Sequence, residues 1–195
     1  MTRIILSDRD ALLIVDVQAD FLPGGHLAVP EGDAVVPALN GYLALARRKG
    51  LRVFASRDWH PARHCSFSSR GGPWPAHCVA GTPGAAFAPG LELPADAVII
   101  SKATQEDADA YSAFEDTDLA LRLRGIGTKR LLVGGLATDY CVGATVRDAL
   151  REGFDVLLLE DAIRAVNVKP GDGERAEREM HGAGAIGVRL EDCAP

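Results

Sequence analysis

The chain has 195 residues, of which 47% are hydrophobic and 25% charged, and a net charge of −6. That acidic balance disfavours nucleic acid and anionic membrane surfaces as partners, and no apolar run approaches membrane-spanning length. The length suits one domain over residues 1–195. Arg3, Asp8, Arg9 and Asp10 interrupt any apolar signal region, so the expectation is a cytoplasmic protein. Its cysteines, Cys65, Cys78, Cys141 and Cys193, are not spaced as a disulfide framework.

Apolar runs alternate with helical patterns, which predicts a three-layer α/β sandwich around a central, mainly parallel six-stranded sheet. The first strand is Ala11–Val17. The following loop from Asp20 to Gly32 carries Pro23, Gly24, Gly25 and Pro30 and is irregular. Asp33 can cap a helix running to Gly50, with Val36, Leu39, Leu43 and Ala46 on its inner face and Pro37 in its first turn. The second strand is Leu51–Ser56. A long segment from Pro61 to Pro94 then holds aromatic, histidine and cysteine residues, which marks it as functional rather than disordered. A third strand, Ala97–Ile100, ends at Ser101-Lys102. A helix over Thr117–Arg124 precedes the fourth strand, Arg130–Gly134. The fifth strand is Asp155–Leu159, a helix covers Asp172–His181, and the sixth strand is Ala185–Leu190.

The stretch LLVGGLATDYCVGATVRDAL, Leu131–Leu150, organises the rest. It reads as a buried strand, a turn and a helix capped by Thr138 or Asp139, with Cys141 in the first turn. Unpaired N–H groups and the macrodipole there favour a thiolate. Asp16, following ALLIV, and Lys102, following AVIIS, stand at the carboxyl ends of other strands. Taken singly they read as a loop-bonding carboxylate and a surface lysine. Parallel sheets bind ligands at that edge, and together the three residues form a Cys-Asp-Lys arrangement. In it Lys102 stabilises the thiolate and Asp16 moves the proton.

A second cluster is Asp58-Trp59-His60-Pro61-Ala62-Arg63-His64, followed by Trp74-Pro75-Ala76-His77. Asp58 and His60 face the same way on an extended segment. A carboxylate with His60, His64 and His77 suits one divalent transition metal, zinc, iron or manganese. Cys65 and Cys78 are competing ligands.

The segments IVDVQADF, RDWHPARHCSF, WPAHCVAGTPGAAF, SKA and GGLATDYCVGATVRDA resemble those of nicotinamidases, within the isochorismatase-like cysteine hydrolase superfamily. The resemblance covers most of the chain. It implies hydrolysis of nicotinamide to nicotinate and ammonia, with Cys141 as nucleophile, Asp16 as general acid/base and Lys102 as electrostatic partner. It makes Asp58, His60 and His77 metal ligands, with His64 as the fourth. It implies a cis peptide between Leu136 and Ala137 and an oxyanion hole from the N–H groups of Ala137 and Cys141. Phe21 and Trp74 match positions that sandwich the substrate ring, and Leu136 and Tyr140 join them as expected substrate contacts. After Lys102 the run ATQEDADAYS departs from the family's usual spacing, which leaves the place of Tyr111 open.

The alternative within the superfamily is a ureidoacrylate or carbamoyl-sarcosine hydrolase, which generally lacks the metal cluster. A structural zinc module leaves Asp16 and Lys102 unexplained. A redox thiol protein lacks its Cys-x-x-Cys, and a dinucleotide-binding protein lacks its G-x-G-x-x-G. The expected partner is a small-molecule substrate, nicotinamide, in a possible homo-oligomer.

Overall fold

The computed structural model describes residues 4–193. Six strands, β1 (Asp10–Val15), β2 (Arg52–Asp58), β3 (Val98–Lys102), β4 (Arg130–Leu136), β5 (Asp155–Arg164) and β6 (Ile186–Val188), form one sheet in the order β3-β2-β1-β4-β5-β6. Every pairing is parallel. The helices are α1 (Val35–Lys49), α2 (Leu119–Gly125), α3 (Gly143–Arg151), α4 (Asp172–Gly182) and α5 (Leu190–Cys193). None of the described helices is long and apolar enough to cross a membrane.

The alternation of side chains along β1 builds two cores. Leu12 and Ile14 pack with Leu39, Leu43 and Ala46 of α1, while Ala11, Leu13 and Val15 pack with Leu119 and Leu123 of α2, Val146 of α3 and Met180 of α4. Both faces are therefore covered, which is why the strands read as continuous apolar runs. This is the three-layer α/β sandwich expected.

The differences lie at element ends. Helix α1 begins at Val35 without a side-chain cap, because Asp33 sits in a preceding 3-10 turn. Strand β5 runs on to Arg164, beyond the expected Leu159. Strand β6 is only three residues and gives way to α5 at Leu190. The helix after β4 starts late: Thr138–Val142 form a single π-helical turn and α3 follows from Gly143.

The chain runs outward from β1 to β2 and β3, then returns to the other side of β1 as β4. The carboxyl ends of β1 and β4 thus border the crevice where strand order reverses, the place where open parallel sheets bind ligands. Gly135 serves this junction. Its φ is +130°, and a Cβ there would collide with the backbone of Val15. Only glycine lets β4 come so close to β1 while bending toward the site.

Candidate active site

Asp16 leaves β1 with a left-handed backbone, φ +48°, and is completely buried. Aspartate tolerates that conformation better than most residues. Ser56 of β2 donates its hydroxyl to Asp16 Oδ1 at 2.6 Å. Lys102, the last residue of β3, is also buried, and its Nζ lies 3.0 Å from Asp16 Oδ2 and 2.5 Å from Asp58 Oδ1. It also donates to the Ala110 carbonyl at 3.0 Å and lies 3.6 Å from Cys141 Sγ. The structure therefore brings Asp16, Lys102 and Cys141 into one buried cluster.

Burial alone would strip Lys102 of its proton, but Asp16 and Asp58 outweigh it and hold the ammonium charged well above its ordinary range. Burial pushes the Asp16 carboxyl up, with Lys102 opposing. Burial also pushes the Cys141 thiol well up, against the pull of Lys102 and with a push from the two carboxylates. Burial thus favours the thiol over the thiolate expected of a helix first turn. The reason is local: Cys141 sits in the π-helical turn, buried beside two carboxylates. Neither expected cap acts as one. Asp139 instead accepts the N–H groups of Val166 at 2.9 Å and Asn167 at 2.8 Å, holding the end of β5 over the site.

Asp58, His60 and His77 are all buried, and their donor atoms lie within 4.8 Å of one another. Gln18 grips the Asp58 backbone from both sides, its Oε1 accepting the Asp58 N–H at 2.7 Å and its Nε2 donating to the Asp58 carbonyl at 2.8 Å. His60 Nε2 is buried and has no hydrogen-bond partner among the described residues. An orphaned buried nitrogen facing a carboxylate and a second imidazole fits a divalent transition metal. Burial lowers the basicity of His77 and so favours the neutral, ligating form.

His64 stacks on His60, with ring centroids 4.2 Å apart, but stands outside this set. Its Nδ1 lies 2.7 Å from Ser66 Oγ and its Nε2 lies 3.0 Å from the Ala108 carbonyl, so both ring nitrogens are engaged. Cys78, a competing candidate, is buried and its thiol is pushed up by its surroundings; Cys65 is half-buried. Neither joins the cluster.

A pocket open to solvent connects the two groups. Phe21, Trp74, Tyr140, Ala137, Cys141, Asp58, His60 and His77 all line it. Leu136 does not. It points into the α1-side core beneath the pocket, fully buried, because it is the last residue of β4. The peptide between Leu136 and Ala137 is cis. Tyr111, whose place the sequence left open, lines the pocket and accepts the Trp74 Nε1–H at 3.0 Å. Sequence reasoning missed Leu27, Val29, Ser66, Asp109, Ala110 and Val166 as lining residues. They come from loops with no periodicity, and only the position of those loops at the sheet's carboxyl edge could have pointed to them.

Fold and site define a class: open parallel α/β proteins with a cysteine, a carboxylate and a lysine at the switch point, beside a carboxylate-histidine set. A model of the isochorismatase domain matches residues 10–187. The nicotinamidase of Escherichia coli K12 is 42% identical over 93% of this chain and 95% of its own length. Among solved structures, the pyrazinamidase of Pyrococcus horikoshii in complex with zinc has a TM-score of 0.89 and 55% identity, covering 93% of this chain and 99% of that one. PnC1 from L. infantum in complex with nicotinate has a TM-score of 0.89 and 36% identity, covering 100% and 99%. The chain belongs to the isochorismatase family and, within it, to the nicotinamidase branch.

Proposed function

We propose that this protein hydrolyses the carboxamide of nicotinamide to nicotinate and ammonia through a thioester on Cys141. The observation that carries this reading is the meeting of the Asp16-Lys102-Cys141 cluster and the Asp58-His60-His77 set at one aromatic-walled pocket. The nicotinamidase name of the E. coli relative and the nicotinate complex of the L. infantum protein support the substrate; the zinc complex of the P. horikoshii protein supports the metal.

Phe21 and Trp74 sandwich the pyridine ring and, with Tyr140, exclude water from it. Asp58, His60 and His77 would hold a divalent transition metal, which supplies a Lewis-acid position for the ring nitrogen. His64 becomes a fourth ligand if Nε2 exchanges the Ala108 carbonyl for the metal. Positioned in this way, the carboxamide carbon meets Cys141 Sγ as the thiol passes its proton to Asp16. The N–H groups of Ala137 and Cys141 receive the developing oxyanion. Asp16 then protonates the departing ammonia, draws a proton from a water, and so drives hydrolysis of the thioester. Lys102, held between Asp16 and Asp58, offsets the negative charge of the sulfur.

Ammonia release from nicotinamide, measured with and without a chelator, tests the proposal. Turnover that falls on chelation and returns with zinc, iron or manganese is expected. No turnover with any metal overturns the substrate assignment, and full turnover of thoroughly demetallated protein overturns the metal's role.

A further inference from the structure

We propose that Asp20 is a positioning residue whose buried carboxylate locks the His77-bearing segment to the Phe21 loop and thereby sets the metal affinity of the Asp58-His60-His77 set. The inference rests on the metal reading above and adds to it a group that touches neither metal nor substrate.

Asp20 lies in the 3-10 turn that follows β1, and its side chain is only 6% exposed. Its Oδ2 accepts the Cys78 N–H at 2.7 Å. Its Oδ1 accepts the His26 N–H at 3.3 Å and lies 2.7 Å from His26 Nδ1. Its backbone carbonyl accepts the Leu27 N–H at 3.0 Å. One residue therefore ties down the loop that brings Phe21, Leu27 and Val29 to the pocket and the segment that brings His77 to the ligand set.

The Cys78 peptide is the link to the ligands. Cys78 has a left-handed backbone, φ +45°, which a residue with a side chain adopts only when its surroundings impose it. Asp20 holds its N–H, and its carbonyl accepts the His60 N–H at 3.0 Å. A carboxylate bonded to a backbone N–H makes a charge-assisted hydrogen bond, stronger than a neutral one. The contact thus fixes the peptide that spaces His77 from His60. The rings of Phe21 and His77 also meet, with centroids 5.6 Å apart, so the pocket wall packs directly on the ligand. The space around the carboxylate is built to its shape: a Cβ on Gly84 would overlap the Asp20 carboxylate.

Nothing in the sequence pattern distinguishes Asp20 from a solvated loop aspartate. Its role follows from where three loops converge.

The test compares wild type, Asp20→Asn, Gly84→Ala, His26→Ala and the remote core variant Leu123→Ala, all stripped of metal. Zinc affinity is measured by competition with a chromophoric chelator, beside circular dichroism and Tm of the metal-free forms. Asp20→Asn keeps the size but removes the charge that strengthens the Cys78 bond and sets its NH2 group against the N–H of either Cys78 or His26, and we expect zinc affinity to fall roughly 10–100-fold, the range for groups that orient ligands. KM should rise, and kcat at saturating zinc and substrate should hold. Gly84→Ala pushes a methyl group into the carboxylate's place and should weaken zinc binding in the same direction, so the test survives if Asp20→Asn does not fold. His26→Ala leaves the Cys78 bond in place and should bind zinc nearly as wild type does. Leu123→Ala should lower Tm with zinc affinity unchanged. Unaltered zinc affinity in folded Asp20→Asn or in Gly84→Ala, with normal uptake by wild type, overturns this inference alone. Failure of wild type to take up zinc overturns the metal reading and this inference with it.

Discussion

Asp58 turns one carboxylate oxygen to Lys102 Nζ, 2.5 Å away, and the other toward His60 Nε2, 3.6 Å away. One side chain therefore belongs to both the nucleophile's cluster and the ligand set, and the two cannot be perturbed independently through it. Lys102 outweighs the effect of burial and holds the Asp58 carboxyl well below the usual carboxylate range.

Asp58→Asn is expected to weaken zinc binding and to lower kcat by roughly 10²-fold or more, a loss that saturating zinc does not restore, because the lysine has lost a partner as well as the metal a ligand. His77→Ala should weaken zinc binding but recover much of its kcat as zinc is raised. Steady-state kinetics over a zinc titration separates the two; equal recovery would show that the Asp58-Lys102 contact contributes nothing to turnover.

The pH profile follows from the shared proton of Asp16 and Cys141. Asp16 is raised above its ordinary value of 3.8 and Cys141 well above 9.0, both chiefly by burial. Between those limits the pair carries one proton, which is the active form. Activity should fall on the acid side as Asp16 gains the second proton, at a pH above the ordinary carboxylate range. On the alkaline side it should persist past the ordinary thiol range. A kcat/KM profile with an alkaline limb centred well below pH 9 would contradict this order, since Cys141 is displaced upward from 9.0.

The raised carboxyl of Asp16 also has a stability consequence of definite sign. Because its folded pKa lies above the unfolded one, its ionisation is disfavoured in the fold, and the penalty is present at neutral and alkaline pH and absent below the unfolded value of 3.8. Asp16→Asn should therefore change the Tm of the metal-free protein more favourably at pH 8 than in acid, since only the pH-dependent penalty is removed. Lys102 keeps Asp58 as its partner, so no charge is stranded. The same variant should lose turnover by roughly 10²–10⁴-fold. A Tm difference from wild type that is no more favourable at pH 8 than in acid would contradict the assignment.

Trp74 is held by its bond to the Tyr111 hydroxyl and by the edge of Tyr140, whose centroid is 5.1 Å from its own. Trp74→Phe keeps a ring but loses the bond. KM for nicotinamide should rise, with kcat little changed, by a factor consistent with losing one net hydrogen bond of about 1 kcal/mol. A drop confined to kcat would place Trp74 in the chemistry rather than in the wall.

The sheet and most of the site were legible because each key residue closes an apolar run. Asp16 after ALLIV, Lys102 after AVIIS and Cys141 after LLVGGL stand where strands end, and a parallel sheet gathers strand ends at one edge. Residues set by loop-to-loop contacts were not legible. The resemblance makes Leu136 a substrate contact, but strand alternation turns it into the core. Asp139 looked like a cap and instead bonds Val166 and Asn167, thirty residues of chain away in rough terms but adjacent in space. His64 fits a ligand pattern, but the contacts of its two nitrogens with Ser66 and Ala108 could not be read from that pattern. No spacing rule reports such contacts, since they depend on how irregular segments cross.

The most direct test of the account is to mix metal-loaded protein with excess nicotinamide, quench with acid in the burst phase, and measure the mass of the intact chain and of its Cys141 peptide. A nicotinoyl adduct is expected on Cys141 and absent from Cys141→Ala, together with loss of ammonia release in that variant. An unmodified Cys141 with turnover intact, or ammonia released by Cys141→Ala at the wild-type rate, would contradict it.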